Sequence, residues 1–268
     1  MSSEGGGSRT REALRLHGRR RGRRLRAGRT ELLTTLLPRL RIELPPADRA
    51  CDPRTLFDRR VTAVWLEVGF GAGEHLAAQA LAHPDIGFVG CEPYVNGVAA
   101  TLARIRALDL ANVRLFDDDA RLLTTALTDA AVARVFVLFG DPWPKQRHRD
   151  RRFVGRATLC ELARILEDDG EFWFASDRDD YVRWTLEHVT ADPSFAWIAD
   201  GPADWRHRPA GWCETRYETK ALARGDTCTY LRFRRLPRRR SAKNPCLDGG
   251  DAYIGGELRL GSSATRSR

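Results

Sequence analysis

The sequence has few of the features that build disulfide frameworks, metal sites or membrane spans. Its six cysteines are spread along the chain, and no two of them form a Cys-x-x-Cys pair. This spacing argues against a zinc site and against a disulfide-stapled fold, and it suits a reducing compartment. No apolar run approaches the roughly 20 residues of a membrane-spanning helix, and the basic N-terminus is not followed by the apolar segment of a secretory signal. We therefore expect a cytoplasmic protein with no membrane partner and no metal.

Lysine is also scarce, so arginine carries nearly all of the positive charge. Only three of the 45 Lys+Arg residues are lysines, and 36 Asp+Glu residues leave a net charge of +9. Arginine offers bidentate hydrogen bonds to phosphate and a planar face that stacks on bases. The composition therefore favours a polyanionic partner such as tRNA, rRNA or DNA. An arginine-rich proteome would give the same total charge without a polyanionic partner. Only the clustering of the arginines along the chain can distinguish these two interpretations.

Composition divides the 268-residue chain into three parts. Residues 1–29 form a basic arm that we expect to be largely disordered; its residues 9–29 contain ten arginines and one acid. Residues 30–235 carry the apolar patterns of one large domain. Residues 236–268 form a Gly-, Ser- and Arg-rich tail. Because this tail can bury little apolar area to offset its ordering entropy, we expect it to be disordered.

Strand and helix patterns alternate between these two ends. Strands are predicted over residues 61–68, 86–91, 112–116, 135–139 and 171–175, and helices over residues 74–82, 95–107, 120–127, 153–166 and 179–189. A further helical stretch covers about residues 30–40, and two late segments, 195–198 and 227–234, are predicted to close the sheet as an antiparallel pair. Repeated strand–helix units predict a doubly wound, Rossmann-like α/β fold with a mostly parallel sheet. Its ligands would bind at the carboxyl ends of the strands.

A glycine-rich turn follows the first predicted strand in LEVGFGAGEH, residues 66–75. Gly69, Gly71 and Gly73 suit a tight turn that approaches a cofactor closely. A dinucleotide-binding fingerprint would be Gly-x-Gly-x-x-Gly, and the acid at position 74 would repel a pyrophosphate at the helix N-terminus. S-adenosylmethionine has no phosphate and carries a sulfonium cation, so the spacing favours a methyl donor over NAD. A purely structural turn is the alternative.

Acids stand at the carboxyl ends of four predicted strands. Glu67 precedes the glycine turn, and Glu92 follows the second strand, where a carboxylate can bind both ribose hydroxyls of a nucleoside. Asp119 follows the third strand and would face the adenine, while Asp141 follows the fourth strand beside the donor's methyl group. A helix cap or a surface charge explains any one of these acids about as well. Three of them, Glu67, Glu92 and Asp119, stand at the ends of successive strands, which helix caps alone do not readily explain.

The fourth strand leads into Asp-Pro-Trp-Pro, residues 141–144, and then into a run of cations. This tetrad resembles in outline the Asp-Pro-Pro-aromatic tetrads of methyltransferases that act on base nitrogens. Two prolines fix the backbone of the loop. Trp143 suits stacking on a base and capping of the core equally well. The cations oppose the dipole of the helix that follows, so a phosphate partner explains them better than a solvated helix start does.

Taken in order, several motifs resemble those of the bacterial tRNA (guanine-N7-)-methyltransferase family. They are LEVGFGAGEHL, GCEPYVNGVA, DDDARLL, FGDPWPKQRHRDRR, ASD and TRYE, preceded by the basic stretch LHGRRRGRRLR. The resemblance runs from about residue 15 to residue 235. It implies the class I methyltransferase fold, S-adenosylmethionine as methyl donor and tRNA as partner. The implied reaction is methylation at N7 of a variable-loop guanine, conventionally position 46, and no obligatory protein partner is implied.

The resemblance also implies roles for individual residues. The donor contacts would be Glu67, Gly69, Gly71, Gly73, Glu92, Asp119 and Asp141, and Asp141 would also be catalytic. The substrate contacts would be Lys145, Asp177, Thr215, Arg216, Tyr217 and Glu218. The RNA contacts would be Trp143, Arg147, His148, Arg149, Arg151 and Arg152. Asp177 could instead cap the next helix. The sequence departs from the family pattern at Gly140, where proline is usual, and at Arg216-Tyr217, where Lys-Phe is commoner.

The chemistry of N7 limits the role of Asp141. N7 of guanine has a lone pair and no proton to lose, so the reaction requires no general base. We expect Asp141 to act by electrostatics and orientation. Three alternatives remain open at this stage: a methyltransferase for another base nitrogen, a non-catalytic RNA-binding relic of the fold, and a small-molecule methyltransferase with incidental arginines.

Overall fold

The computed structural model describes residues 18–238, so residues 1–17 of the predicted arm and residues 239–268 of the predicted tail lie outside the described residues. The division of the chain into arm, domain and tail stays a prediction. One sheet is formed by β1 (Ala63–Val68), β2 (Ile86–Cys91), β3 (Val113–Phe116), β4 (Val132–Leu138), β5 (Leu166–Ser176), β6 (Phe195–Trp197) and β7 (Thr229–Arg235). The strand order is β3-β2-β1-β4-β5-β7-β6. The first five strands pair in parallel, and β7 is antiparallel to both of its neighbours. The predicted fold class is confirmed.

Helices connect the strands and cover the sheet. They are α1 (Ala27–Thr35), α2 (Leu37–Leu40), α3 (Glu74–Ala82), α4 (Val95–Ala107), α5 (Ala120–Ala126), α6 (Arg156–Ile165), α7 (Asp179–Thr190), α8 (Ala203–Arg206) and α9 (Arg216–Ala223). The bounds of β2, α3 and α4 coincide with their predictions. The helical stretch predicted over residues 30–40 is two helices, because Pro38, in the first turn of α2, has no amide N–H with which to continue the hydrogen bonding of α1.

The largest differences from the predicted bounds lie around β4, α6 and β5. Strand β4 begins three residues earlier than predicted and ends before Phe139, whose φ of 51° leaves the extended region. Helix α6 begins at Arg156, after an extended Gly155. Strand β5 begins at Leu166 because Val132 pairs with Leu166 before the register shifts, and Arg134 pairs with Glu171. The polar residues inserted by this irregularity explain why the sequence pattern predicted a shorter strand.

The two faces of the sheet bury different side chains of the same strands. In β4, Val135 and Val137 belong to one hydrophobic cluster, while Phe136 and Leu138 belong to another on the opposite face. This alternation follows from the period of two along a strand. Burying a side chain such as Phe136 contributes about 1.5–3 kcal/mol to folding relative to leaving it exposed. Strands β1 and β4 are therefore rigid supports for the loops at their carboxyl ends.

The order of the sheet reverses between β1 and β4, which places a crevice outside their carboxyl ends. The loops that carry the glycine turn and the Asp-Pro-Trp-Pro tetrad leave the sheet on either side of this point. Both edge strands are short: β3 has four residues and β6 has three. The chain beside β3 also pairs with it, since the amide of Ile42 donates to the carbonyl of Leu115 over 2.8 Å. Within residues 18–238, no helix is long and apolar enough to cross a membrane.

Candidate active site at the carboxyl ends of β1, β2 and β4

The glycine turn adopts a backbone conformation that side chains disfavour. Gly69, Gly71 and Gly73 have φ of 74°, 57° and 73°. A Cβ atom at Gly73 would lie 2.4 Å from the hydroxyl of Thr101, so the turn also packs closely on α4. A Cβ atom at Gly69 would meet no atom within 4 Å. The turn therefore packs against α4 at Gly73 and faces open space at Gly69.

Glu92 ties the glycine turn to the start of α4. One carboxylate oxygen accepts the amide of Gly71 at 2.8 Å, and the other accepts the amide of Tyr94 at 3.0 Å. Burial raises the pKa of Glu92 despite these two hydrogen bonds, and the charges of Asp141 and Glu67 raise it further. Carboxylates from the ends of β1 and β4 thus lie close enough to Glu92 for their charges to disfavour its ionised form. A cation placed among them would be stabilised.

Glu67 and Asp119 are both buried and already have partners. Glu67 Oε2 lies 2.7 Å from Nδ1 of His75, in the first turn of α3. Asp119 caps α5 by accepting the amide of Arg121 at 3.0 Å, and the Arg121 guanidinium also donates to it. The helix-cap interpretation therefore holds for Asp119, and its contact with a donor stays a prediction. The pairing of Glu67 with His75 had no sequence signal beyond a histidine just after the glycine turn.

Asp141 follows β4 in a loop with an unusual backbone. The flanking residues Phe139 and Trp143 have φ of 51° and 41°, a conformation that bulky side chains rarely adopt. Such residues cost about 1–3 kcal/mol each and occur mainly where the surrounding structure holds them. The amide of Phe139 is held by the carbonyl of Ala175 over 2.7 Å. A Cβ atom at Gly140 would meet only Val137, at 3.8 Å, so the residue that departs from the family pattern has room around it.

The carboxylate of Asp141 is available to a ligand. It accepts no hydrogen bond from residues 18–238, and its side chain opens onto the crevice. Desolvation by the surrounding protein raises its pKa. A Cβ atom on Gly18 would lie 3.9 Å from Asp141 Oδ2, so the described part of the arm reaches this carboxylate. The sequence offered only the basic composition of the arm as a sign of this contact.

The described part of the arm, from residue 18 onward, lies along the start of α4. The amide of Val95 donates to the carbonyl of Arg20 over 2.9 Å, and the amide of Gly22 donates to Asn96 Oδ1 over 2.9 Å. Asn96 Nδ2 in turn donates to the carbonyl of Arg23 over 2.7 Å. These bonds place the arginines of residues 20–24 next to the turn that Glu92 holds.

The basic segment after the tetrad contains both exposed and buried cations. A short 3-10 helix covers Gln146–Arg151, and the Arg151 guanidinium lies 5.2 Å from the Trp143 ring centroid. His148 packs edge-on against Trp143 at 6.1 Å. Among the remaining predicted RNA contacts, Arg147 is exposed and Arg149 is half-buried, and the predicted substrate contact Lys145 beside them is also exposed.

Arg152 differs from the other predicted RNA contacts because it is buried. Its guanidinium pairs with Asp180, and its Nε donates to the carbonyl of Pro142 over 2.7 Å. This side chain therefore braces the Asp141 loop from inside the protein. The spacing of arginines in the sequence could not separate this one from its exposed neighbours, because its partner is 28 residues away.

Asp177 does not cap α7. The cap residue is Arg178, whose amide donates to the hydroxyl of Ser176 over 3.1 Å. Asp177 instead pairs with Arg224 at 2.8 Å, just beyond the end of α9. The alternative interpretation of Asp177 as a helix cap is therefore wrong, and its contact with substrate stays a prediction.

The Thr-Arg-Tyr-Glu motif divides into two buried and two exposed residues. Thr215 and Glu218 form a capping box at the start of α9, and the fully buried Glu218 also accepts hydrogen bonds from Arg208 and Tyr230. Arg216 and Tyr217 are exposed. Tyr217 lies across the glycine turn, 3.1 Å from where a Cβ atom of Gly71 would be. The buried pair thus holds the exposed pair over the crevice.

Comparison with known proteins gives consistent matches. The sequence family described as "Putative methyltransferase" matches residues 61–231. The tRNA (guanine-N(7)-)-methyltransferase of Rhodospirillum rubrum is 50% identical over 246 residues, which cover 90% of this chain and 96% of that protein. Proteins of the same name from Rhodopseudomonas palustris strain BisA53 and Nitrobacter winogradskyi are 51% and 48% identical, covering 81% and 85% of this chain and 87% and 89% of their own lengths. No group of three or more potential metal ligands occurs among the residues that the structure describes.

Proposed function

Because the chain belongs to the tRNA (guanine-N(7)-)-methyltransferase family, we propose that it transfers a methyl group from S-adenosylmethionine to N7 of a guanine in the variable loop of tRNA. The observation that carries this proposal is the convergence of Glu67, Glu92 and Asp141 beside an open glycine turn. A cationic ligand beside Glu92 would offset the negative charges of Glu67 and Asp141. We propose the cytoplasm, where tRNA is available, as the location of the reaction.

The residues of the crevice fit this methyl donor. The open space beside Gly69 allows a ligand to approach the backbone closely, and the carboxylates suit a ligand with positive charge and hydroxyl donors. A pyrophosphate would meet these carboxylates and also Glu74, in the first turn of α3. When bound, S-adenosylmethionine supplies an electrophilic methyl group and a sulfonium charge. Glu92 would accept the ribose hydroxyls with its remaining lone pairs, and Glu67 and Asp119 would complete the site.

Asp141 would act on the guanine by its charge. Methylation at N7 leaves the base cationic, and a carboxylate that accepts no hydrogen bond from residues 18–238 can stabilise the charge as it develops. The proline-rich loop, the left-handed backbone at Phe139 and Trp143 and the internal brace of Arg152 fix where the carboxylate lies. The carboxylate is therefore oriented before substrate binds, which reduces the reorganisation required during the reaction.

Exposed aromatic and basic side chains around the crevice would bind the RNA. N7 is recessed in the deep major groove of A-form RNA, so the guanine has to be displaced or already exposed. Tyr217 and Trp143 are the aromatic side chains beside the glycine turn and Asp141, and either can stack on the displaced base. The phosphates would be bound by exposed cations: Lys145, Arg147, Arg216 and the arginines at positions 19–26 of the arm.

The proposal is tested with purified protein, labelled methyl donor and two unmodified tRNA transcripts. One transcript has a guanine in the variable loop, and in the control an adenine replaces this guanine. Products are mapped by chain cleavage, which follows reduction of N7-methylguanosine. We expect label and cleavage at the variable-loop guanine of the first transcript and neither in the control. Label without cleavage would mean methylation of another atom, and no label despite tRNA binding would mean a non-catalytic RNA-binding protein.

A further inference from the structure

His75 connects the predicted donor site to the segment that precedes α9. Its Nδ1 lies 2.7 Å from Glu67 Oε2, and both side chains are buried. On its other side, the imidazole packs against Trp212 with ring centroids 5.1 Å apart. The family resemblance assigned no role to either His75 or Trp212. The imidazole nevertheless contacts both a predicted donor-binding residue, Glu67, and the segment before α9, through Trp212.

Two complementary polar atoms are buried at this contact. His75 Nε2 and Trp212 Nε1 have no hydrogen-bond partner within residues 18–238. When Nδ1–H donates to the Glu67 carboxylate, a neutral imidazole keeps Nε2 as an acceptor, and an indole N–H can only donate. Unpaired buried polar atoms destabilise the arrangement that contains them. A hydrogen bond from the indole N–H to Nε2 would satisfy both atoms.

Trp212 belongs to the segment that carries the predicted substrate contacts. Gln79 Nε2, one turn further along α3 than His75, donates to the carbonyl of Gly211 over 2.8 Å. At the other end of the segment, Tyr217 lies against the glycine turn at Gly71. Helix α3 and the glycine turn thus contact the segment at three points, of which His75–Trp212 is the central one.

We propose that His75 is a positioning residue that orients Glu67 toward the methyl donor and, through Trp212, couples donor binding to RNA binding. This inference rests on the proposed function. RNA bound at the 211–217 segment brings the Trp212 N–H to His75 Nε2, and the paired imidazole holds its other N–H on Glu67. By linkage, donor binding strengthens RNA binding by the same factor.

The test measures the dissociation constant of S-adenosylhomocysteine, the demethylated donor, which has no methyl group to transfer, by calorimetry with and without saturating unmodified tRNA. For the wild type we expect binding to tighten about fivefold or more with tRNA. Trp212→Phe removes the N–H but keeps an aromatic ring, so its ratio of dissociation constants should fall to near one. Trp197→Phe, the same change at a half-exposed site on β6, is the matched control and should keep the wild-type ratio.

Variants at His75 separate its two contacts. His75→Phe leaves the Glu67 carboxylate buried and unpaired, so we expect binding of S-adenosylhomocysteine without tRNA to weaken about tenfold or more. His75→Asn restores a donor near Glu67 but is too short to reach Trp212. The Asn variant should therefore recover most of the affinity for S-adenosylhomocysteine, but the ratio of its dissociation constants without and with tRNA should stay near one. Thermal melts verify that each variant folds. If His75→Phe does not fold, His75→Asn and Trp212→Phe still test whether this contact couples donor binding to RNA binding.

Three results would overturn the inference: a wild type whose binding tRNA does not change, a Trp212→Phe variant with the wild-type ratio, or a folded His75→Phe variant with wild-type affinity. Failure of the proposed function looks different. In that case tRNA would still tighten binding of S-adenosylhomocysteine, but the mapping assay would show no methylation at N7.

Discussion

Replacing Asp141 with asparagine should reduce activity while leaving the fold intact or slightly more stable. The two side chains have nearly the same shape, and Asp141 accepts no hydrogen bond from the described residues that the substitution would break. The pKa of Asp141 is raised by desolvation, so at pH values above that pKa its ionised form disfavours the folded state. Asparagine removes this cost. We expect the free energy of unfolding to stay within about 0.5 kcal/mol of the wild type or to rise.

The loss of activity follows from the charge that asparagine lacks. Removing one preorganised electrostatic contact from an active site typically lowers kcat about 100-fold to 1,000-fold, or about 2.7–4 kcal/mol. We expect a decrease of this size in methyl transfer to tRNA at saturating donor and RNA. Asp109→Asn is the matched control: Asp109 is exposed in a turn with φ of 49°, which asparagine tolerates equally well, and it precedes β3 at the opposite end of the sheet.

The pH dependence provides a second measure of the same group. As the pH is lowered, kcat/KM of the wild type should fall when Asp141 becomes protonated. Because the pKa of Asp141 is raised, this fall should begin at a higher pH than it would for an ordinary aspartate with a pKa of about 3.9. The Asn variant should lack this acid limb. Normal turnover by Asp141→Asn, or a loss of more than about 1 kcal/mol of stability, would refute the electrostatic role, since a loss of stability indicates a structural one.

Three further predictions concern the loop and the basic surface. Gly140→Ala should stabilise the protein by about 0.4–1 kcal/mol in urea unfolding, because its backbone is not left-handed and a Cβ atom has room; a lower midpoint would contradict this. Arg152→Ala removes the buried cation that bonds Asp180 and the carbonyl of Pro142 and should cost about 1–3 kcal/mol, whereas the exposed Arg147→Ala should stay within about 0.5 kcal/mol in the same assay. Glutamine at three arm positions should weaken tRNA binding and make the slope of log K against log salt concentration less negative by about 2–3 units. An unchanged slope would show that these three side chains bind no phosphate. The positions are Arg21, Arg23 and Arg24.

The elements nearest the proposed donor site were predictable because their sequence signals agree. The glycine turn fixes the start of α3, and the apolar run of β2 ends where Glu92 begins the next loop. Helix and strand propensities, the positions of turn-forming residues and the periodicity of apolar residues all indicate the same bounds there. Strand β5 was harder, because its first residues form an irregular polar stretch that pairs only after the chain has folded.

Within the site, the sequence could identify acids and cations but not their partners. Arg152 and Arg147 occur in one basic run, yet only the fold brings Asp180 under Arg152. Likewise, Glu218 occurs in a motif that predicts substrate contact, and the structure buries it beneath Arg208 and Tyr230. Burial and pairing are long-range properties, and the spacing of one motif carries no information about them.

The short edge strands limit how copies of this protein can associate. A long, flat, unpaired edge exposes a row of amides and carbonyls on which another chain can add a strand. Here the long apolar strands lie inside the sheet, while β3 and β6 have four and three residues, and Ile42 already bonds to β3. Strand addition would therefore gain few hydrogen bonds at either edge. Any self-association of the folded domain has to use its side-chain surfaces, and aggregation by sheet extension requires unfolding first.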